Sequence, residues 1–571
     1  MEDPAKSYWS YSKQDFYPEP SFQSLSSYKS AFLQTPTRLK NRLLHRSTDL
    51  SELEAKKESV NDMKKCLNWW DLMWLAFGSV VGTGIFVLTG QEAHNHAGPA
   101  IVLSYAISGI SVLLSVFCYT EFAVEIPVAG GSFSYLRVEL GDFVAFIAAG
   151  NILLEAVVGA AGLARSWSSY FATLLSFAPD KFCFHVGAFA EGFNLLDPIA
   201  FVVLILLSAV PMFGTLKASL FNWIASLLTV GVIVFVIVTG FVKGEVSNLS
   251  PFTPYGVGGV FRASAVLFWA YTGFDMVATM AEETKKPSRD IPIGLIGSMS
   301  LITVVYCVMA LSLSMMVKYT EMDVNAAFSV AFKNIGMNWA TYVVAIGALK
   351  GMTTGLMVGA LGQGRYTTQI ARTHMIPPCF ARVHPKTGTP INAMLLVTLP
   401  SACLAFFTSL DVLSSVSSLS TLFIFMLMAI ALIVRRYYSN EVSSKSDLIK
   451  LWVFLLMIVG ASIGTSAYYY ARPKGWFGYA ITGPIWFIGT VGIQFFLPQQ
   501  RAPKIWGVPL VPWLPAVSIA INLFLIGALG YLAFVRFAIC TGVMLVYYVF
   551  VSLHTTYDVA QQKPVDLEIS K

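Results

Sequence analysis

Charge is scarce in this chain. Asp, Glu, Lys and Arg make up 12% of its 571 residues, about half the share of an ordinary soluble domain. That shortage, beside a 56% hydrophobic content, argues against a string of soluble domains. The net charge of +6 is carried by basic residues scattered among short segments. No basic groove or repeat forms, so nucleic acid is not an expected partner. Cysteine is sparse too: of seven, only Cys183 falls in a segment expected outside, and no disulfide framework is implied. The N-terminus opens MEDPAKSYWS, with no basic-then-apolar leader, so the first apolar run is expected to direct insertion. No Walker motif, phosphate-cradling loop or nucleophile–base arrangement occurs, which excludes ATP-driven pumping and makes an enzyme an unsuitable reading.

What is present is hydrophobic length. Fourteen apolar runs follow one another between residues 72 and 554. Most approach the roughly 20 residues that cross a bilayer as a helix. An all-α polytopic membrane protein with twelve to fourteen spans is therefore expected. Residues 1–70 are polar and mixed in charge, and read as a largely disordered tail ending in a helix near LSELEAKKESV. Residues 556–571 form a second tail. With both tails cytoplasmic, twenty-eight Lys and Arg fall inside and eight outside, as the positive-inside rule requires. The sequon at Asn248 then lies outside.

Two runs differ from the rest. Leu72–Thr89 (LMWLAFGSVVGTGIFVLT) and Phe261–Met280 (FRASAVLFWAYTGFDMVATM) are long enough to span, yet glycines interrupt both. In the first, Gly78, Gly82 and Gly84 each weaken a helix by roughly 1 kcal/mol against Ala. An unwound segment here starts an outer half-helix near Gly84, whose free N–H groups and partial positive charge suit a carboxylate. Thr83 adds a hydroxyl. The competing reading is close helix packing through small-xxx-small contacts. In the second, Gly273 permits a break, and carbonyls freed near Tyr271 and Thr272 suit an ammonium group. Trp269, Tyr271 and Phe274 wall a pocket or, alternatively, form a packing face. Donors for a carboxylate set against acceptors for an amine match an α-amino acid, and paired broken spans point to a transporter's substrate site.

The order Gly82-Thr-Gly-Ile-Phe86, the run Tyr119-Thr-Glu-Phe-Ala-Val-Glu-Ile-Pro-Val-Ala-Gly-Gly-Ser-Phe133, the run Phe268-Trp-Ala-Tyr-Thr-Gly-Phe-Asp275 and the run Arg382-Val-His-Pro-Lys-Thr-Gly-Thr-Pro390 together resemble the cationic amino acid transporter family. That family lies within the amino acid–polyamine–organocation superfamily, and the long tail and fourteen-span count resemble its plant members. The resemblance covers about residues 65–555. It implies a LeuT-like five-plus-five inverted repeat over residues 71–434 (spans one to ten), with accessory spans eleven to fourteen in 435–555. It further implies that Val80, Thr83 and Gly84 hold the substrate carboxylate, and that Trp269 and Thr272 meet the amine or gate the site.

Few charges lie within spans. Glu155, in ILLEAVVGAAG, is costly at that depth and normally faces a cavity or partner. It is read as the group that meets a cationic substrate side chain, or else as a structural carboxyl. A direct pair with Arg165, about 15 Å further along one helix, is not expected. Asp275 is the second carboxylate candidate, or a cap of the inner half-helix. Lys350, in the eighth span, is a coupling candidate. Proton-coupled relatives carry a fifth-span lysine where this chain has Thr229, so Lys350 is hypothesised to replace it; its alternative is a structural partner. Glu121 and Glu125 follow the second span and are expected either to reach Arg137 or the Arg365/Arg372 segment as a gate, or to be solvated. His94 and His96 fall short of a metal site.

The resulting expectation is a secondary carrier, with no cofactor other than a proton gradient, moving L-arginine, L-lysine or similar molecules across a lipid bilayer. The plasma membrane is the expected location and the vacuolar membrane the alternative. Competing functions are a neutral amino acid or polyamine carrier of the same fold, and a sensor that binds without translocating. The sequence assigns no oligomeric state.

Overall fold

The computed structural model describes residues 8–43, 45–46, 67–81, 84–126, 128, 130–190, 192–213, 218–275, 284–439, 443–472 and 475–562. Among these residues the chain is helical nearly throughout. The only strands are two-residue pieces, Phe184–His185 and Leu195–Leu196, paired antiparallel in the segment after the third span.

Among the described residues, each of the fourteen apolar runs falls on helix, with the first divided into two helices. By length and composition, eight helices among the described residues can cross a membrane, and shorter apolar helices supply the fourth, fifth, ninth and thirteenth spans. Such helices are apolar around most of their surface because lipid replaces water outside. The fourth span starts at Pro198 behind Asp197, whose carboxylate accepts the Ala200 N–H at 2.9 Å, a favourable start since proline has no N–H to orphan.

The first and sixth spans are the interrupted ones. Helix Trp69–Val81 stops, and a second helix runs from Ile85 to Glu92. Helix Gly256–Leu267 tightens into a 3₁₀ turn at Phe268–Tyr271, Thr272 is extended (φ −68°, ψ 157°), and Gly273 takes φ +107°. That φ is open to glycine at little cost. The third and eighth spans, Asp142–Leu174 and Asn338–Arg372, are the longest continuous helices and pack against each other. The same order of a broken span followed two positions later by a long one occurs in both halves, as the five-plus-five repeat requires.

The tail departs from the disorder expected of it. Within residues 8–43, helices span Lys13–Phe16, Leu25–Leu33 and Thr35–Leu43 and lie against the helical body. Buried ion pairs hold them: Arg38 to Asp558 at 3.0 Å, and Arg42 to Asp142. Asp15 pairs with Arg382 at 2.6 Å, and the Tyr11 hydroxyl donates to Asn392 Oδ1 at 2.9 Å. Asp558 sits on helix Leu553–Gln562, so residues assigned to the second tail continue the last span. The helix expected near LSELEAKKESV lies outside the described residues.

Candidate functional site

The two broken spans cross where they are broken. A Cβ on Gly84 would overlap the Ala270 backbone, so only glycine permits the approach. Tyr306, from the seventh span, places its hydroxyl 3.0 Å from both the Val80 and the Ala270 carbonyl oxygens. One hydroxyl thus serves carbonyls on either side of the crossing. Ser79 Oγ reaches the Gly273 carbonyl at 3.3 Å, a second tie between the breaks.

Beside this crossing lies a cavity of about 200 Å³. Its walls include Gly78, Ser79 and Gly84 of the first span, Glu155 of the third, and Trp269, Thr272, Gly273 and Asp275 of the sixth. The first span otherwise contributes only residues before its break, and the eighth contributes Thr354 to Gln363 from its second half. The cavity therefore runs from the crossing toward the tail-bearing face. Trp269 forms one wall: the indole lies against the third span, 3.2 Å from where a Cβ on Gly159 would be and 2.9 Å from one on Gly162.

Five expected site residues, Gly84, Glu155, Trp269, Thr272 and Asp275, thus share one cavity. Gly84 starts the outer half-helix and its carbonyl accepts the Val87 and Leu88 N–H groups at 3.2 Å, so the Ile85 and Phe86 N–H groups have no carbonyl partner inside the helix. The Thr272 hydroxyl donates to the Trp269 carbonyl at 2.9 Å, so toward an amine it offers only its oxygen lone pairs. Glu155 faces the Thr421 hydroxyl and feels the charge of Asp275. Arg165 is spent elsewhere: its guanidinium donates to the Ala405, Phe406 and Leu195 carbonyls, consistent with its separation from Glu155.

Two expectations change and one lies beyond the described residues. Val80 is fully buried, is absent from the cavity wall, and offers an already engaged carbonyl; an acceptor cannot hold a carboxylate. Thr83 lies outside the described residues. Glu125 does not reach Arg137 or the Arg365/Arg372 segment. Its carboxylate lies 3.7 Å from Arg435 and accepts the Lys504 N–H at 2.8 Å. Glu121 makes two 2.8 Å contacts with Arg436, and Arg137 pairs with Asp142 instead. These acids join the second and tenth spans to segment 501–508, because a desolvated carboxylate must find a fixed cation. Lys350 is also off the cavity wall. Its ammonium sits 3.5 Å from Thr229 Oγ1 on the fifth span.

Tyr306 carries no cue in the sequence, being one aromatic in the largely apolar run LITVVYCVMA. Trp74, Gln363 and Ser79 of the cavity wall likewise carry no periodic cue. Among the described residues no group of His, Cys, Asp and Glu could hold a metal ion. His94 and His96 instead meet the Met322 carbonyl and Glu92, each at 3.0 Å.

The family model for amino acid permeases matches residues 67–542. Over 558 residues the chain is 66% identical to "Cationic amino acid transporter 8, vacuolar" of Arabidopsis thaliana, covering 98% of this chain and 94% of that one. Cationic amino acid transporter 5 of the same plant is 63% identical, with 99% and 100% covered. The methylthioribose transporter of Bacillus subtilis is 33% identical over 80% of this chain and 98% of its own.

Proposed function

The chain belongs to the amino acid permease family, among its plant-like cationic amino acid transporters, and from that premise we propose that it carries lysine- and arginine-type substrates by proton-coupled alternating access. The observation that carries this reading is that two carboxylates, Glu155 and Asp275, line the same cavity as the ends of both broken spans. Carboxylates that line a low-dielectric cavity favour a cation placed among them. A substrate with an α-ammonium, an α-carboxylate and a cationic side chain satisfies each element. Its carboxylate meets the N–H groups that begin at Gly84 and Ile85. Its α-ammonium meets the oxygens near Thr272 and Asp275, and its side chain meets Glu155.

The cavity extends along the second half of the eighth span, toward the tail-bearing face, which supports a state that loads or releases on the tail side. Moving the broken spans against the third and eighth would open the other side. Lys350, held beside Thr229, is assigned the coupling role. A neutral-substrate carrier is the second reading, favoured by the methylthioribose transporter's use of a related chain. For location, the name of the relative at 66% identity supports the vacuolar membrane over the plasma membrane.

Counterflow of labelled arginine in proteoliposomes tests the proposal. Exchange is expected, whereas a sensor would bind without exchanging. Glu155→Gln is expected to abolish lysine and arginine uptake selectively. Equal loss for neutral substrates would make Glu155 part of the scaffold.

A further inference from the structure

Gln363 lies on the tail-side half of the eighth span and lines the cavity. Its side-chain oxygen is buried without any hydrogen-bond partner. Leaving such a group unpaired is costly, and a buried amide normally finds a partner in protein, water or ligand. Glutamine oxygen and nitrogen are interchangeable by a simple turn of the amide, so this side chain can present its acceptor to the cavity. The eighth span offers nothing else of the kind there. Its other contributions to the wall are Thr354 and apolar or glycine positions such as Gly355, Leu356 and Gly359.

Position gives the amide its meaning. Gln363 follows Gly355 by eight residues, about 12 Å of helix rise, and both touch the cavity. The cavity is thus elongated along the eighth span. Trp74, on the first span before its break, lines the same cavity and gives it an aromatic wall. The first and eighth spans approach each other. An aromatic wall and an amide acceptor are what a guanidinium or ammonium needs beyond a countercharge: a face to lie on and an oxygen for its remaining N–H groups.

We infer that Gln363 is a specificity residue, accepting a hydrogen bond from the cationic end of a bound amino acid. Glu155 supplies charge, which any cation would satisfy, while the amide supplies direction. The assignment rests on the cationic-substrate reading above and deepens it. A guanidinium has five N–H donors and an ammonium three, so arginine has more to lose than lysine when the amide is removed.

Ligand-induced thermal stabilisation of the purified full-length protein tests it, using arginine, lysine and norleucine as probes and Gln363→Leu and Gln363→Glu as variants. The ligand-free melting temperature reports whether each variant folds. A hydrogen bond to a charged group is worth about a tenfold or larger change in affinity. Gln363→Leu is therefore expected to weaken arginine at least tenfold and lysine less, with norleucine unmoved. Gln363→Glu, which restores an acceptor, is expected to keep arginine binding. Equal weakening of all three probes, or unchanged arginine affinity in Gln363→Leu, overturns the role of Gln363 while leaving the substrate reading intact. A wild-type protein that ignores arginine overturns the substrate reading itself and this assignment with it. Should Gln363→Leu fail to fold, loss of arginine binding in a folded Gln363→Glu would contradict the inference.

Discussion

Gly84 and Ala270 touch so closely that a single methyl group on the glycine would run into the alanine backbone. The first and sixth spans are locked in register at this contact, with the Tyr306 hydroxyl on the carbonyls beside it. Gly84→Ala is therefore expected to cost about 1–3 kcal/mol of overpacking and to cut uptake at least tenfold per molecule in the membrane. Gly359, on the cavity wall, has open space where a methyl would go. Gly359→Ala should keep most uptake. Transport normalised to membrane abundance checks both, and equal behaviour of the two variants would contradict the crossing as described.

Lys350 and Thr229 bring a cation to the fifth span from the eighth. In Lys350→Met, accumulation driven by an imposed pH gradient should vanish while arginine counterflow continues. Paired uptake and exchange assays in proteoliposomes make the comparison. Unaltered proton dependence would remove the lysine from coupling.

The tail is fastened through a buried pair. Arg38 and Asp558 are each 9% exposed at their side chains and 3.0 Å apart, and removing one partner of such a pair strands the other, at about 3–5 kcal/mol. Asp558→Ala should lower the melting temperature markedly, and Arg38→Ala on the same background should add little. Purely additive effects in that double-mutant cycle would mean that the pair does not hold the tail.

Cys183, in the segment between the third and fourth spans, reports on its surroundings. Burial, and then the Asp197 charge, push its thiol up to about 11. The thiolate is the reactive form, so modification by a charged methanethiosulfonate should be slow at neutral pH and quicken toward pH 11. Asp197→Asn keeps the helix start, since asparagine caps as well as aspartate, and should move that rise to lower pH. Rapid labelling at pH 7 would contradict the buried setting.

Much of this architecture was legible in the order of residues. Apolar run length marks spans because lipid leaves the backbone no partner outside its own helix, and glycine clusters mark breaks because only they relax that rule cheaply. Glu155 and Asp275 stood out for the same reason, being charges where charge is expensive. Side-chain direction was not legible. Val80 sits one position after Ser79, which reaches the cavity, yet is buried and forms no part of its wall, a matter of helix phase at an interrupted end. Glu125 chose Arg435, over 300 residues away in sequence, and no local pattern announces such a partner. The tail's helices were hidden because their stability comes from distant partners such as Asp558 and Asp142, while their own composition resembles that of disordered chain.

The most direct measurement is an experimental structure of the protein with arginine bound. The account predicts its carboxylate at the N–H groups following Gly84, its α-ammonium beside Thr272, and its guanidinium toward Glu155 and Gln363. Arginine seated away from the crossing of the two broken spans, or either span continuous through the bilayer, would contradict it.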